Sequence, residues 1–202
     1  MDEGSAAAKT CGLRERKKAR TRAAIREHAL RLFREQGYHA TTVEQIADAA
    51  EVSPSTFFRY FPTKEDVVLQ DDFDLVAMDS LREQPAHLSP IAAYRTVAAE
   101  MFAAMTPDDR ASFRETMELT FTVPEVRARA MDEFARTIDE IAGALARRTG
   151  RDPGDFAVRN VAGALIGVTM AATLPWSSGT PVETVAERIE AALAHLEAGL
   201  PL

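Results

Sequence analysis

Residues 41–64, TTVEQIADAAEVSPSTFFRYFPTK, contain two helix starts so close together that each helix can run only about two turns. Thr41 with Glu44, or Thr42 with Gln45, makes the Ser/Thr-x-x-Glu/Gln pattern in which side chain and backbone cap each other, and either threonine satisfies it. Beyond the cap, Val43, Ile46, Ala47 and Ala50 recur at helical spacing, while Glu44, Gln45, Asp48 and Glu51 fall on the other side. Glu51-Val52 forms the turn. Ser53-Pro54 then restarts the chain, because serine accepts from the free N–H groups of a helix start and proline at the first helical position has no N–H to lose. The second helix is expected from Pro54 to about Phe61. Phe57 and Phe61, four apart, can lock it to the first helix, leaving Pro54, Ser55, Thr56, Phe58, Arg59 and Tyr60 for other faces. Two short helices joined by a tight turn, the second with an uncharged N-terminus whose dipole favours anions, suit the phosphate-lined groove of DNA.

The run Arg20 to Val68, RTRAAIREHALRLFREQGYHATTVEQIADAAEVSPSTFFRYFPTKEDVV, resembles the DNA-binding domain of TetR-family transcriptional regulators. A helix, a Gly-Tyr turn, the Thr-Thr cap, the Ile-Ala pair, Val-Ser, an aromatic run and Lys-Glu follow in the family's order and spacing. Two positions depart from it. Glu51 stands where the family usually has glycine, so the turn must be made without a residue that favours positive φ. Phe58 stands where the family usually has a phosphate-binding tyrosine, and no DNA role is assigned to it. The resemblance implies a dimer that binds a palindromic operator, a small-molecule effector in the C-terminal body, and a backbone contact from Lys64.

The net charge of −7 would be unusual for a DNA binder if it were spread evenly. It is not. Residues 1–64 carry twelve Lys and Arg against eight Asp and Glu, a balance of +4, and residues 65–202 carry twelve against twenty-three, a balance of −11. A basic nucleic-acid module joined to a larger acidic body follows. At 202 residues the chain can hold one domain or two small ones, and its 46% hydrophobic content is ample for a core. The sequence has no run of eighteen apolar residues, and its MDEGSAAAKT start lacks the apolar core of a secretory signal. A single cysteine, Cys11, makes no internal disulfide or cysteine metal site. A cytoplasmic protein is expected.

In chain order, residues 1–13 read as a disordered tail, 14–64 as the DNA-binding domain and 65–202 as a ligand-binding and dimerisation domain. The run RERKKARTR, 14–22, adjoins the helix-turn-helix, so phosphate or minor-groove contact is preferred over a merely solvated charge run, with Arg20 and Arg22 as its DNA-binding members. The first helix ends at Gln36 before Gly37, with Ile25, Ala29, Leu32 and Phe33 as its buried stripe. Thr63 with Asp66 can cap a fourth helix reaching about Arg82 and spanning both domains. Lys64 lies in that helix's first turn, where a cation opposes the dipole and needs another purpose, for which phosphate is the expectation. Five more helices are expected at about 90–105, 108–122, 124–149, 153–175 and 181–198, giving an all-α fold of about nine helices.

Pro54, Ser55, Thr56 and Arg59 are the base-edge candidates, with Arg59 able to bond two acceptors of guanine. Tyr60, Thr42 and Lys64 are expected on phosphates. In the body, Met101, Phe102, Met105, Phe113, Met117, Phe121, Met131, Phe134 and Trp176 are candidates for an adaptable pocket for a small apolar or amphipathic effector, although a Met and aromatic stripe is more often core. The stretch MELTFTVPEVRARAMDEFARTIDEIAGALARRTG is similar to the effector domains of TetR regulators related to mycofactocin-system repressors, which implies acyl-CoA-like ligands. The eighth and ninth expected helices carry the small-residue pattern Gly163 to Gly167 and the stripe Val185, Ile189, Ala192, Leu193 and Leu196, read as a two-fold interface. No cofactor or metal is expected. The four histidines are scattered, His-x-x-x-His, Cys-x-x-Cys, Gly-x-Ser-x-Gly and glycine-rich phosphate loops are missing, and Asp71, Asp72 and Asp74 point different ways on a helix, so nothing organises a reaction. The reading is a ligand-responsive repressor; the alternative is an architectural DNA-binding protein with no effector.

Overall fold

The computed structural model describes residues 3–69, 73–174, 177 and 179–202, and every regular element among them is a helix. The helices are α1 (Glu3–Gln36), α2 (Val43–Ala49), α3 (Pro54–Tyr60), α4 (Lys64–Leu69), α5 (Phe73–Glu83), α6 (Pro90–Ala104), α7 (Pro107–Thr122), α8 (Pro124–Thr149), α9 (Phe156–Thr173) and α10 (Val182–Glu197). Ten helices are described where about nine were expected, because the fourth expected helix is described as α4 and α5 on either side of residues 70–72. The chain divides into two compact units, 1–68 and 69–202.

In the first unit, α1 begins at Glu3, ahead of the expected start near Arg14, and includes the alanine run 6–8, whose residues are the strongest helix formers. Ile25, Ala29 and Phe33 recur every four residues and are buried together with Leu30, whereas Leu32, expected in that stripe, is only half-buried. α2 packs on α1, and Ile46 and Ala47 of α2 and Val67 and Val68 of α4 are all fully buried. Gly37 ends α1 at φ +88 and accepts no strain in doing so, having no Cβ. Of the two capping threonines the structure selects Thr42, whose hydroxyl accepts from the Gln45 N–H while Gln45 Oε1 accepts from the Thr42 N–H.

The turn after α2 is made in the left-handed conformation that its sequence disfavours. Glu51 has φ +54, and the N–H of Val52 bonds to the carbonyl of Ala47 while that of Glu51 bonds to Asp48. These two bonds are the Schellman closure, which needs a left-handed residue at the position Glu51 occupies. A residue with a Cβ there costs about 1–2 kcal/mol, set against the roughly 0.5–1 kcal/mol of extra chain entropy that glycine loses on folding.

The second unit is a bundle. Ile141, Leu145, Ala162, Leu165, Val185 and Leu193 form its fully buried centre, with Met78 and Leu81 of α5 and Ala93 and Val97 of α6 packed against them. α9 lies between α8 and α10 and packs extensively on both. Each helix begins with its own stop-start signal: Ser89-Pro90 for α6, a Thr106–Asp109 capping box with Pro107 for α7, Pro124 for α8, and Asp155, whose carboxylate accepts from the N–H groups of Ala157 and Val158, for α9. Gly150 ends α8 at φ +67. The Arg148 guanidinium donates to the carbonyls of Gln84, Pro85 and Leu88, tying the α5–α6 loop to α8. Arg95 of α6 grips Glu190 and Glu197 of α10, and Arg110 of α7 grips Glu183 of α10.

Replacing Glu51 by glycine should raise the urea midpoint of the full chain by the equivalent of about 0.5–1 kcal/mol, whereas Glu51→Ala, which keeps the Cβ, should give no gain. Equal effects of the two substitutions would mean that the carboxylate, not the backbone, sets the stability of the turn.

Candidate nucleic-acid interface

α3 has one buried edge and one open face. Phe57 and Phe61 are fully buried with ring centroids 6.0 Å apart, as expected from their spacing. Pro54, Ser55, Phe58 and Arg59 are exposed, and Thr56 and Tyr60 are half-buried. Ser53 caps the helix by accepting from the Thr56 N–H at 3.1 Å, and its hydroxyl lies 3.0 Å from that of Thr56. The Arg59 guanidinium lies 5.5 Å from the Tyr60 ring centre, a stacking distance that extends the arginine along the helix surface.

Thr42 is exposed at the start of α2, and its oxygen and N–H are both engaged in the capping box, so its hydroxyl hydrogen is what it can offer to a phosphate. Arg20 is exposed on α1, while the Arg22 guanidinium covers the Phe61 ring at 5.0 Å. The basic run is therefore helical at this point and adjoins the C-terminal end of α3.

Lys64 has the internal task that the sequence did not disclose. Its ammonium donates to the carbonyls of Tyr38 at 2.9 Å and Thr41 at 3.0 Å and stands 4.0 Å from the centre of the Tyr38 ring. Two of its three N–H bonds are thus directed at the α1–α2 loop, which explains a cation in the first turn of α4 without DNA. Tyr38, read from sequence only as a loop residue, is buried, packs its ring 5.0 Å from that of Phe33 and donates its hydroxyl to Glu65 Oε1 at 2.6 Å. Thr41 is buried too; its hydroxyl donates to the Gly37 carbonyl at 2.8 Å and accepts from Gln36 Nε2. Thr63 and Asp66 cap α4 reciprocally, as expected. The Gly-Tyr and Thr-Thr pairs were the available signals for this network, but residue spacing gives no direction for their side chains.

Burial would push the Glu65 carboxyl up, yet hydrogen bonds from Tyr38, its own backbone and Thr63, with the Lys64 charge, outweigh it and hold the group below the ordinary glutamate range. A carboxylate with a depressed folded value contributes stability above its unfolded value of about 4.3 and loses it as pH falls through the lower folded value.

The effector-pocket candidates in the second unit are only partly brought together. Met101, Phe102, Phe113 and Phe134 are half-buried against the bundle core, with Phe102 and Phe113 edge to face at 5.7 Å, and Met105 is buried. Met117 and Phe121 are half-buried on α7, Met131 is 48% exposed, and Trp176 lies outside the described residues, as do Asp71 and Asp72. A cleft of about 230 Å³ is lined by Phe102, Ala103, Arg110, Val182, Glu183 and neighbours on α10, so of the candidates only Phe102 reaches it. α7 has no fully buried side chain among its sixteen residues, and forms a half-covered wall. On α10, Val185, Ile189 and Leu193 are turned into the chain's own core, so the stripe read as a partner surface is interior. The outward stripe is on α9, where Phe156, Asn160, Gly163, Gly167, Ala171 and Leu174 share one face, with Phe156 84% and Leu174 60% exposed.

Residues 25–70 match the family model of bacterial regulatory proteins of the tetR family, and residues 88–201 match that of the MftR C-terminal domain. The chain is 35% identical over 199 residues to the HTH-type transcriptional regulator TcmR of Streptomyces glaucescens, with 92% of this chain and 86% of that one covered. It is 29% identical over 188 residues to MftR of Mycobacterium tuberculosis, a putative mycofactocin biosynthesis transcriptional regulator, covering 92% and 93% of the two chains. Among solved structures it is similar to FadR of Thermus thermophilus, a TetR-family transcriptional repressor in complex with lauroyl-CoA, with 30% identity, a TM-score of 0.58 and coverage of 90% and 95%.

Tyr38→Phe should lower the unfolding free energy by about 0.5–1 kcal/mol at pH 7, a charged hydrogen bond discounted for solvent exposure. Denaturation as a function of pH should show that difference shrinking below about pH 4 as Glu65 takes up its proton. A difference constant across this range would place the effect in packing instead.

Proposed function

The chain belongs to the TetR family of bacterial transcriptional regulators, and from that premise we propose that it is a ligand-responsive repressor that binds a palindromic operator as a dimer. The observation that carries the reading is the division of α3, anchored by Phe57 and Phe61 and open at Pro54, Ser55, Thr56 and Arg59. In this reading those four reach base edges in the major groove, with Arg59 paired to guanine. Arg20, Arg22, Thr42 and Tyr60 hold phosphates. Lys64, whose ammonium keeps the α1–α2 loop in place, is the further candidate for a contact with the DNA backbone. Architectural binding without an effector remains the competing reading, and the half-covered α7 wall favours an effector.

The effector is small and apolar or amphipathic, and the 30% identical repressor in complex with lauroyl-CoA makes acyl-CoA thioesters the first class to test. Its binding would select a dimer whose heads have the wrong spacing for the operator, acting through the segment 64–83 that joins the two units. The two-fold contact is made by the outward face of α9, where Gly163, Gly167 and Ala171 let a partner helix approach closely and Phe156 and Leu174 supply apolar area, with the outer flank of α10 beside it. Its domains follow the sequence reading, with DNA binding in 14–64 and effector binding and dimerisation in 65–202. The working place of such a regulator is the cytoplasm.

The test is binding of the full chain, at fixed salt, to the DNA upstream of its own coding region against scrambled competitor. Tight binding with a palindromic footprint, relieved by lauroyl-CoA or another thioester, supports the reading; footprinting that stays unchanged with every thioester tried favours the architectural alternative. Arg59→Ala should relax preference at one or two operator positions at a cost of about 1–3 kcal/mol, while Arg20→Gln should weaken all sequences alike and flatten the salt slope by about 0.9. Loss of general affinity alone in both variants contradicts the base-reading role of Arg59. Gly167→Arg, placing a charge on the α9 face, should convert the dimer to a monomer in sedimentation while leaving helical content unchanged; a dimer of unaltered mass would exclude that face.

A further inference from the structure

We propose that Phe58 reads the methyl group of a thymine in the operator half-site, an assignment that rests on α3 being the recognition helix. Phe58 is 51% exposed, the one exposed Phe, Tyr or Trp among the described residues of the first unit. It lies on the open face of α3, three and four residues after Ser55 and Pro54 and next to Arg59. Its ring meets the buried Phe57 ring edge to face, with centroids 5.4 Å apart and planes at 87°. The side chain is therefore held by the head's own core and directed away from it.

A phenylalanine has no donor or acceptor, so it takes no phosphate oxygen and no base-edge hydrogen bond. In the major groove the base feature that an apolar side chain complements is the C5-methyl group of thymine. Burying that methyl against the ring removes both from water, and one methyl of apolar burial corresponds to a change of about fourfold in affinity. Arg59 beside it supplies the polar partner, so α3 would read a thymine and a guanine with adjacent residues.

The experiment uses the full chain and half-site duplexes that it has itself selected from random DNA, with deoxyuridine replacing each thymine in turn. Deoxyuridine keeps every hydrogen-bonding group and removes only the methyl. For the parent protein, one or two positions should lose about fourfold in affinity. Phe58→Ala should bind the thymine and deoxyuridine duplexes alike at those positions, with the parent's salt slope and with its melting temperature lowered by no more than the lost edge contact with Phe57 accounts for. The assignment is overturned if the selected half-site contains no thymine, if every deoxyuridine duplex binds the parent as well as its thymine counterpart, or if Phe58→Ala still discriminates between them. A salt slope lowered by about one unit in Phe58→Ala would likewise move the residue to the backbone. Failure of the underlying reading looks different: selection would then return no preferred sequence at all.

Discussion

The ammonium group of Lys64 is the point on which the head's geometry closes. It joins the start of α4 to the carbonyls of Tyr38 and Thr41 and to the face of the Tyr38 ring, so the end of α1, the start of α2 and the start of α4 share one charged centre. Carbonyl oxygens in a loop after a helix lack the partners that a helix would give them, and a cation satisfies two at once. The Tyr38 hydroxyl extends the same centre to Glu65, next in the chain. With those three ends fixed, α3 needs only its two phenylalanines to be located, and the remainder of its short surface is left open.

Much of this architecture can be read from punctuation in the sequence. Ser53-Pro54, Ser89-Pro90, Thr106-Pro107 and Pro124 each begin a helix, and Gly37 and Gly150 each end one, because capping and φ preference act within a few residues of chain. The long-range assignments were harder. The charge of Lys64 at a helix start points in the sequence to phosphate alone, because the two carbonyls it also meets lie 23 and 26 residues back in the chain. The apolar spacing of α10 correctly identified a buried stripe but could not tell its own core from a partner's, since both present the same surface to water.

The body is uneven in the way it is packed. α8 and α9 bring fully buried residues to the core at helical spacing, while α7 has no fully buried residue and is tied to α10 by the Arg110 pair at its start. Helices with few completely buried side chains open at lower cost than those around them. The candidate pocket residues divide along this line: Phe102 and Phe113 belong to the boundary between the firm core and the looser wall, and Met131 lies outside it.

Arg148 holds the α5–α6 loop through three backbone carbonyl oxygens, with no carboxylate in the clamp. In the head, a phenol and a carboxylate extend the Lys64 centre. As the medium acidifies the Tyr38–Glu65 clasp of the first unit weakens, and so do the Asp109 and Asp155 caps of the second, whose carboxyls are likewise held below the ordinary range by hydrogen bonds, while the loop clamp keeps its strength, so proton concentration loosens helix starts in both units before it reaches that loop.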